Sequence, residues 1–164
     1  MMHALYPISG NPPTWGHADV MARASRIFEQ VTWALAFNPE KQVDCPLEVR
    51  IEMMQDYIRH LKLKNVTVTS YEEGTARYAG KIGAGVIVKG LRNPNDFQAE
   101  FEQAFGNRGI NGDIETVLLF TQPRNGAISS SLIRELAQLG ENINEYVLPS
   151  VAKKLKEHLH QSKR

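Results

Sequence analysis

The 164-residue chain has a single cysteine, Cys45, no long apolar run and almost no excess of charge, with 19 Lys and Arg against 18 Asp and Glu. One thiol excludes an internal disulfide framework and suits a reducing compartment. No apolar stretch approaches the roughly 20 residues needed to span a bilayer, and no charged-then-apolar leader pattern opens the sequence, so a cytoplasmic, soluble protein without membrane contact is expected. A formal net charge of +1 gives no electrostatic case for nucleic acid as a partner. Repeats, low-complexity tracts and linkers are absent, as are a G-x-x-x-x-G-K-[ST] loop and any grouping with metal-ligand spacing. Cys45 lacks the His-plus-acid context of a catalytic nucleophile, and His158 and His160 fall in a Lys-rich tail that reads as a solvated end. An apolar fraction of 42% in a chain of this length is enough for a core without staples, and one domain over residues 1–164 is expected.

What is present is a regular alternation. Apolar runs at Met2–Tyr6, Val31–Phe37, Val66–Ser70, Gly85–Lys89 and Glu115–Phe120 read as strands. Helical patterns fall between or after them at Ala18–Phe28, Leu47–Leu61, Thr75–Ile82, Asp96–Phe105, Ser130–Leu139 and Val151–His160. Pro46 suits the start of a helix, and Phe97, Phe101 and Phe105 share one helix face. Repeated β-α-β units predict an α/β fold of the Rossmann-like, doubly wound kind: a mainly parallel five-stranded sheet with helices on both faces.

In such a sheet a ligand lies beyond the carboxyl ends of the strands, where strand order reverses. Polar clusters follow strands one, four and five. The first is Ser9-Gly10-Asn11-Pro12-Pro13-Thr14-Trp15-Gly16-His17, a Gly/Pro turn opening a helix, where free N–H groups and the helix dipole favour phosphate. His17 adds a donor there. The second is Lys89-Gly90-Leu91-Arg92, and the third Asn125-Gly126-Ala127-Ile128-Ser129-Ser130-Ser131, leading into a helix. Each has a plainer reading: a packing histidine, a solvated charged loop, or serine as an ordinary N-cap. Their convergence, if strands one and four are neighbours, favours an anion site over all of these. Lys41 after strand two, and Glu100 as a hydrogen-bond partner for a ribose, are further candidates.

These residues resemble the bacterial phosphopantetheine adenylyltransferases, nucleotidyltransferases with an H/T-x-G-H signature. Tyr6-Pro7 and Thr14-Trp15-Gly16-His17 carry the first motif, Lys41 the next, Val88-Lys89-Gly90-Leu91-Arg92 with Asp96-Phe97 and Glu100 another, and Ile128 to Glu135 the last. The resemblance implies transfer of AMP from ATP to 4′-phosphopantetheine with Mg²⁺, in a cytoplasmic hexamer. It implies catalytic roles for His17, Lys41 and Arg92, and ATP contacts from Ser9, Gly10, His17, Gly90, Leu91, Arg92, Glu100 and Asn125 to Ser131. Ser9, Lys41, Thr75 and Lys89 would face the acceptor. The chain departs where the family reads Y-P-G-T-F-D-P: Ile8 replaces a glycine at a tight approach and is expected to restrict the turn, Gly10 in place of phenylalanine frees space beside the nucleotide, and Asn11 loses a carboxylate. Lys89 stands for the usual arginine, Asn125 for an aromatic that some members place near adenine, and Trp15 has no evident role. These departures keep open another phosphate acceptor (nicotinamide mononucleotide or glycerol 3-phosphate) and a nucleotide-binding module without turnover.

Overall fold

A computed structural model describes residues 2–36 and 43–161. Among them five parallel strands, β1 (His3–Ile8), β2 (Gln30–Ala36), β3 (Val66–Tyr71), β4 (Val86–Leu91) and β5 (Glu115–Phe120), form one sheet in the order β3-β2-β1-β4-β5. β1 pairs with β2 on one side (Tyr6 opposite Trp33) and with β4 on the other (Leu5 opposite Ile87). The strand order therefore reverses between β1 and β4, as expected, and opens a crevice there.

Both faces of the sheet are covered, which explains why the strands read as near-continuous apolar runs. The side-chain period of two sorts them. Ala4, Tyr6 and Ile8 of β1, Val31, Trp33 and Leu35 of β2, and Val86 and Val88 of β4 join one core with α1 (Trp15–Ile27), α2 (Leu47–Leu61), α5 (Ser130–Gln138) and α6 (Pro149–Gln161). Leu5, Ala34 and Ile87 point the other way, into a smaller core against α3 (Thr75–Lys81). α4 (Pro94–Ile110) packs beside α3, β4 and β5, yet none of its residues is buried.

Element boundaries moved where caps outweighed apolar periodicity. α1 begins at Trp15 instead of Ala18, because Thr14 is its N-cap. α4 begins at Pro94 instead of Asp96, because Asn93 accepts from the amides of Asn95 and Asp96 and Pro94 takes the first turn. The aromatic face of α4 does exist, but it faces outward: Phe97, Phe101 and Phe105 are 48%, 49% and 67% exposed.

Tyr57 ties this frame to the first loop. Its buried hydroxyl donates to the Pro13 carbonyl (3.3 Å) and accepts from the Leu148 amide (3.2 Å). Burial keeps it protonated, raising its pKa above the ordinary tyrosine value. Tyr57→Phe orphans a buried donor and a buried acceptor together, at about 2–3 kcal/mol. A thermal melt should then show Tm lowered by about 5–10 °C; an unchanged Tm would mean that the loop does not depend on this bond.

Candidate active site

The loop after β1 carries the first group of site residues. Gly10 adopts φ +56°, and a Cβ there would lie 2.6 Å from Leu35 Cδ2 and 3.2 Å from Ile8 Cδ1. Gly10 therefore does not open space for a nucleotide, as its sequence position suggests. It yields volume to Ile8, which is 7% exposed and part of the core. Ile8 packs the turn instead of obstructing it.

Downstream, Thr14 and His17 form a reciprocal cap. Thr14 Oγ1 accepts from the His17 amide (3.4 Å), and the Thr14 amide donates to His17 Nδ1 (3.1 Å). A histidine thus stands at the third helical position, where a capping box usually has Glu or Gln. The backbone N–H can only donate, so Nδ1 must accept and the neutral ring carries its proton on Nε2. Burial, and secondarily the Arg92 guanidinium, lower the His17 pKa from 6.5 to about 4. At neutral pH His17 is an uncharged donor with a fixed tautomer.

His17 lies in a cavity of about 590 Å³ at the strand-order reversal. β1 and its loop contribute Tyr6 to Ser9, the first turn of α1 Gly16 and His17, and the end of β4 Lys89, Gly90 and Arg92. The start of α5 contributes Ser129, Ser130 and Ser131, and the start of α3 contributes Thr75. The N-termini of α1 and α5 thus open on one cavity, with the start of the short α3 beside them, a favourable field for an anion. Gly90 allows the close approach of α1 at this point, since a Cβ there would sit 3.0 Å from Val20 Cγ2.

The triple serine divides its work. Ser129 Oγ accepts from the Leu132 amide (3.1 Å) as the α5 cap, and Ser130 Oγ donates to the Pro12 carbonyl (2.8 Å). Two of the three hydroxyls are thereby engaged in structure, while Ser131 stays exposed at the cavity wall.

The cations are held in place by carboxylates of α4. Arg92 makes a forked pair with Asp96 (Nε to Oδ2 and Nη2 to Oδ1, both 3.1 Å), and its Nη1 donates to the Ile128 carbonyl (3.1 Å). Burial opposes ionisation of Asp96, but the bonds from Arg92 prevail and lower its pKa. Lys89 Nζ stands 3.0 Å from Glu100 Oε2 and donates to Gln103 Oε1 (3.0 Å). The Lys89–Glu100 contact is an ion pair without hydrogen-bond geometry, and it leaves the buried Oε2 without a hydrogen-bond partner. Glu100 lines the cavity, with this oxygen itself buried against Lys89.

Of the other anticipated residues, Leu91 is buried, and Gly10, Leu91, Gly126 and Ala127 are not among the residues that line this cavity. Asn125 is buried and lines a neighbouring cavity of about 680 Å³ with Trp15 and Tyr146, and Ile128 borders both. Trp15 meets the rings of Tyr57 and His60 edge-on at 5.1 and 5.6 Å. Lys41 lies outside the described residues. Sequence reasoning gave no site role to Tyr6, Tyr71, Asp96, Gln103 and Thr121, which also line the cavity. Positions near strand ends could have found Tyr6, Tyr71 and Thr121, and the i, i+4 spacing with Arg92 could have found Asp96; Gln103, within α4, carries neither signal. Among the described residues, no group of three or more His, Cys, Asp or Glu side chains could hold a metal ion. None of the described helices is long and apolar enough to cross a membrane.

Comparison with known proteins now defines the class. Residues 9–136 match the cytidylyltransferase-like family model. A phosphopantetheine adenylyltransferase of Caldanaerobacter subterraneus subsp. tengcongensis is 36% identical over 162 residues, covering 99% of this chain and all of that protein. One from Synechococcus elongatus is 39% identical over 159 residues, covering 97% and 95%. Among solved structures, a Vibrio parahaemolyticus protein assigned as a nicotinate-nucleotide adenylyltransferase superposes with TM-score 0.75 at 22% identity over 98% and 96% of the two chains. The Plasmodium falciparum nicotinic acid mononucleotide adenylyltransferase complexed with NaAD gives TM-score 0.71 at 13% identity over 95% of each. At those identities the likeness is one of fold. The chain belongs to the cytidylyltransferase-like family and, within it, to the phosphopantetheine adenylyltransferase group.

The His17 pKa has a consequence for stability. Between pH 6.5 and about 4 the unfolded chain takes up a proton that the folded one refuses, so acidification across that window weakens the fold. His17→Asn should flatten the slope of stability against pH there by at most about 1.4 kcal/mol per pH unit, an upper bound because the ring edge meets solvent. Denaturant unfolding at several pH values measures it, and identical slopes would show a normally titrating imidazole.

Proposed function

We propose that this chain transfers AMP from ATP to 4′-phosphopantetheine, giving dephospho-CoA and pyrophosphate. The observation that carries the reading is His17, a neutral Nε2–H donor held by its own helix cap in a cavity shared with Arg92 and a second helix N-terminus. The near full-length relatives supply the acceptor.

The chemistry asks for no general base. A phosphate monoester has a second pKa of about 6 and is largely dianionic at neutral pH. Its oxygen attacks the α-phosphorus, a new P–O bond forms, and the bond to the β-phosphate bridging oxygen breaks with pyrophosphate leaving. No proton has to be removed first. The protein must align two anions and offset their repulsion. His17 donates to an α-phosphate oxygen as charge builds there. Arg92, the amides of the α5 first turn and Ser131 hold the β- and γ-phosphates. Ser9, Thr75 and Lys89 take the acceptor side, Glu100 accepts from a ribose hydroxyl, and the base extends towards Asn125 and Trp15. Mg²⁺ would come to this site with the phosphates of the nucleotide substrate, which supply most of its oxygen ligands.

We also infer a hexamer in the cytoplasm. The outward Phe97, Phe101 and Phe105 on α4 support self-association, because contiguous apolar faces on soluble proteins mark interfaces. Phe101→Asp should convert the assembly to smaller species by light scattering, and an unchanged mass would remove α4 from the interface.

Pyrophosphate release from ATP and Mg²⁺ is the direct assay, with 4′-phosphopantetheine, nicotinamide mononucleotide or glycerol 3-phosphate as acceptor. Release with the first alone is expected; release only with another would reassign the acceptor, and none with any would leave a binding module. Removing a single charge-stabilising donor costs about 3–4 kcal/mol, so His17→Ala should lower kcat by roughly a hundred- to a thousand-fold. ATP affinity, measured by calorimetry, should stay within a few-fold.

A further inference from the structure

Arg50 stands in the first turn of α2 and is only 2% exposed. Its Nη1 donates to the Ser9 carbonyl (2.9 Å), while Nε and Nη2 have no hydrogen-bond partner. Among the described residues no carboxylate forms an ion pair with it. As a structural element this is a poor choice on three counts. A buried charge without a counter-ion is costly, and removing it for an apolar side chain of similar volume is often neutral or stabilising. A cation in a first turn also opposes the helix dipole. Along the same helix Met53, Met54 and Tyr57 are fully buried, so an apolar side chain at position 50 would suit its neighbours. The fold does not call for a guanidinium here, whereas Ser9, the residue it touches, lines the cavity.

We propose that Arg50 is a positioning residue for the acceptor phosphate: its guanidinium clamps the Ser9 carbonyl, fixes the cavity-lining turn, and places behind it a positive charge that the incoming phosphate monoester neutralises. The inference rests on the reading above only in putting a phosphate acceptor at Ser9. Its charge and its fork have separable parts in this. Lysine keeps the charge and loses the fork, while methionine loses both and preserves the volume.

The full chain and its Arg50→Met and Arg50→Lys variants are compared by thermal melting and by steady-state kinetics with ATP and 4′-phosphopantetheine. For Arg50→Met the expected result is Tm equal to or above wild type, with KM for the acceptor raised about tenfold or more and KM for ATP within about threefold. Arg50→Lys should recover part of the acceptor KM. A variant that fails to fold as Arg50→Met, a Tm loss with acceptor KM unchanged, or a parallel rise in both KM values would each overturn the proposal in favour of a structural role. If the wild-type chain ignores 4′-phosphopantetheine but turns over another phosphate monoester, the acceptor assignment fails. The same comparison on that acceptor then decides the role of Arg50.

Discussion

The reciprocal hydrogen bonds between Thr14 and His17 are the constraint on which the site depends. One pair of contacts settles three matters. It starts α1 at Trp15, it presents the first turn of that helix to the crevice between β1 and β4, and it commits Nδ1 to accepting so that Nε2 must donate. Burial then keeps the ring uncharged. A charged imidazolium would bind any phosphate group strongly, in the ground state and the transition state alike. In the proposed reaction a neutral donor would offer less to the ground state and gain as negative charge accumulates on the α-phosphate, the differential that accelerates chemistry.

The positive charge of Lys89 and Arg92 in the cavity is balanced from a single helix. Lys89 and Arg92 are balanced by Glu100 and Asp96, both on the first turns of α4. A polyanion entering the cavity competes with these carboxylates instead of meeting bare cations, so part of the attraction is spent on exchange of partners. α4 is also the helix that buries none of its own residues. Its attachment to β4 relies on these ion pairs more than on packing, and its outward aromatic face asks for cover from elsewhere. Charge balance in the site and the state of that outer face are therefore carried by one weakly anchored element.

Much of this was legible in the sequence. The apolar alternation gave five strands and their parallel order because both faces of a doubly wound sheet are buried, and β5 and α2 matched residue for residue. Cluster positions at strand ends located the cavity, because the reversal of strand order decides where a crevice opens. Boundaries ruled by side-chain capping are less legible: His at a capping-box position is not the usual Glu or Gln, and apolar periodicity alone starts the helix at Ala18, three residues after its true first residue. The division of labour among Ser129, Ser130 and Ser131 was hidden too, since all three could cap or bind and only the fold shows which hydroxyl meets Pro12. The Phe97, Phe101 and Phe105 spacing gave a face correctly, but periodicity says nothing of whether a face turns inward.

The first loop shows why local motif differences need a volume argument before a functional one. Ile8 and Gly10, taken singly, suggest an obstructed turn and an enlarged nucleotide pocket. Together they are one exchange: the Ile8 side chain occupies space that a side chain at position 10 would need, against Leu35. The same reasoning applies to Asn11, whose side-chain amide meets the carboxylate of Asp44 (3.4 Å), itself paired with Arg134 (2.9 Å). A carboxylate absent from position 11 is thus present beside it, brought from the segment before α2 and neutralised by α5. In this chain Ile8 and Leu35 fill the volume beside Gly10, and the Asn11–Asp44–Arg134 contacts set the local charge of the loop that carries Ser9, the setting in which a phosphate acceptor would be read.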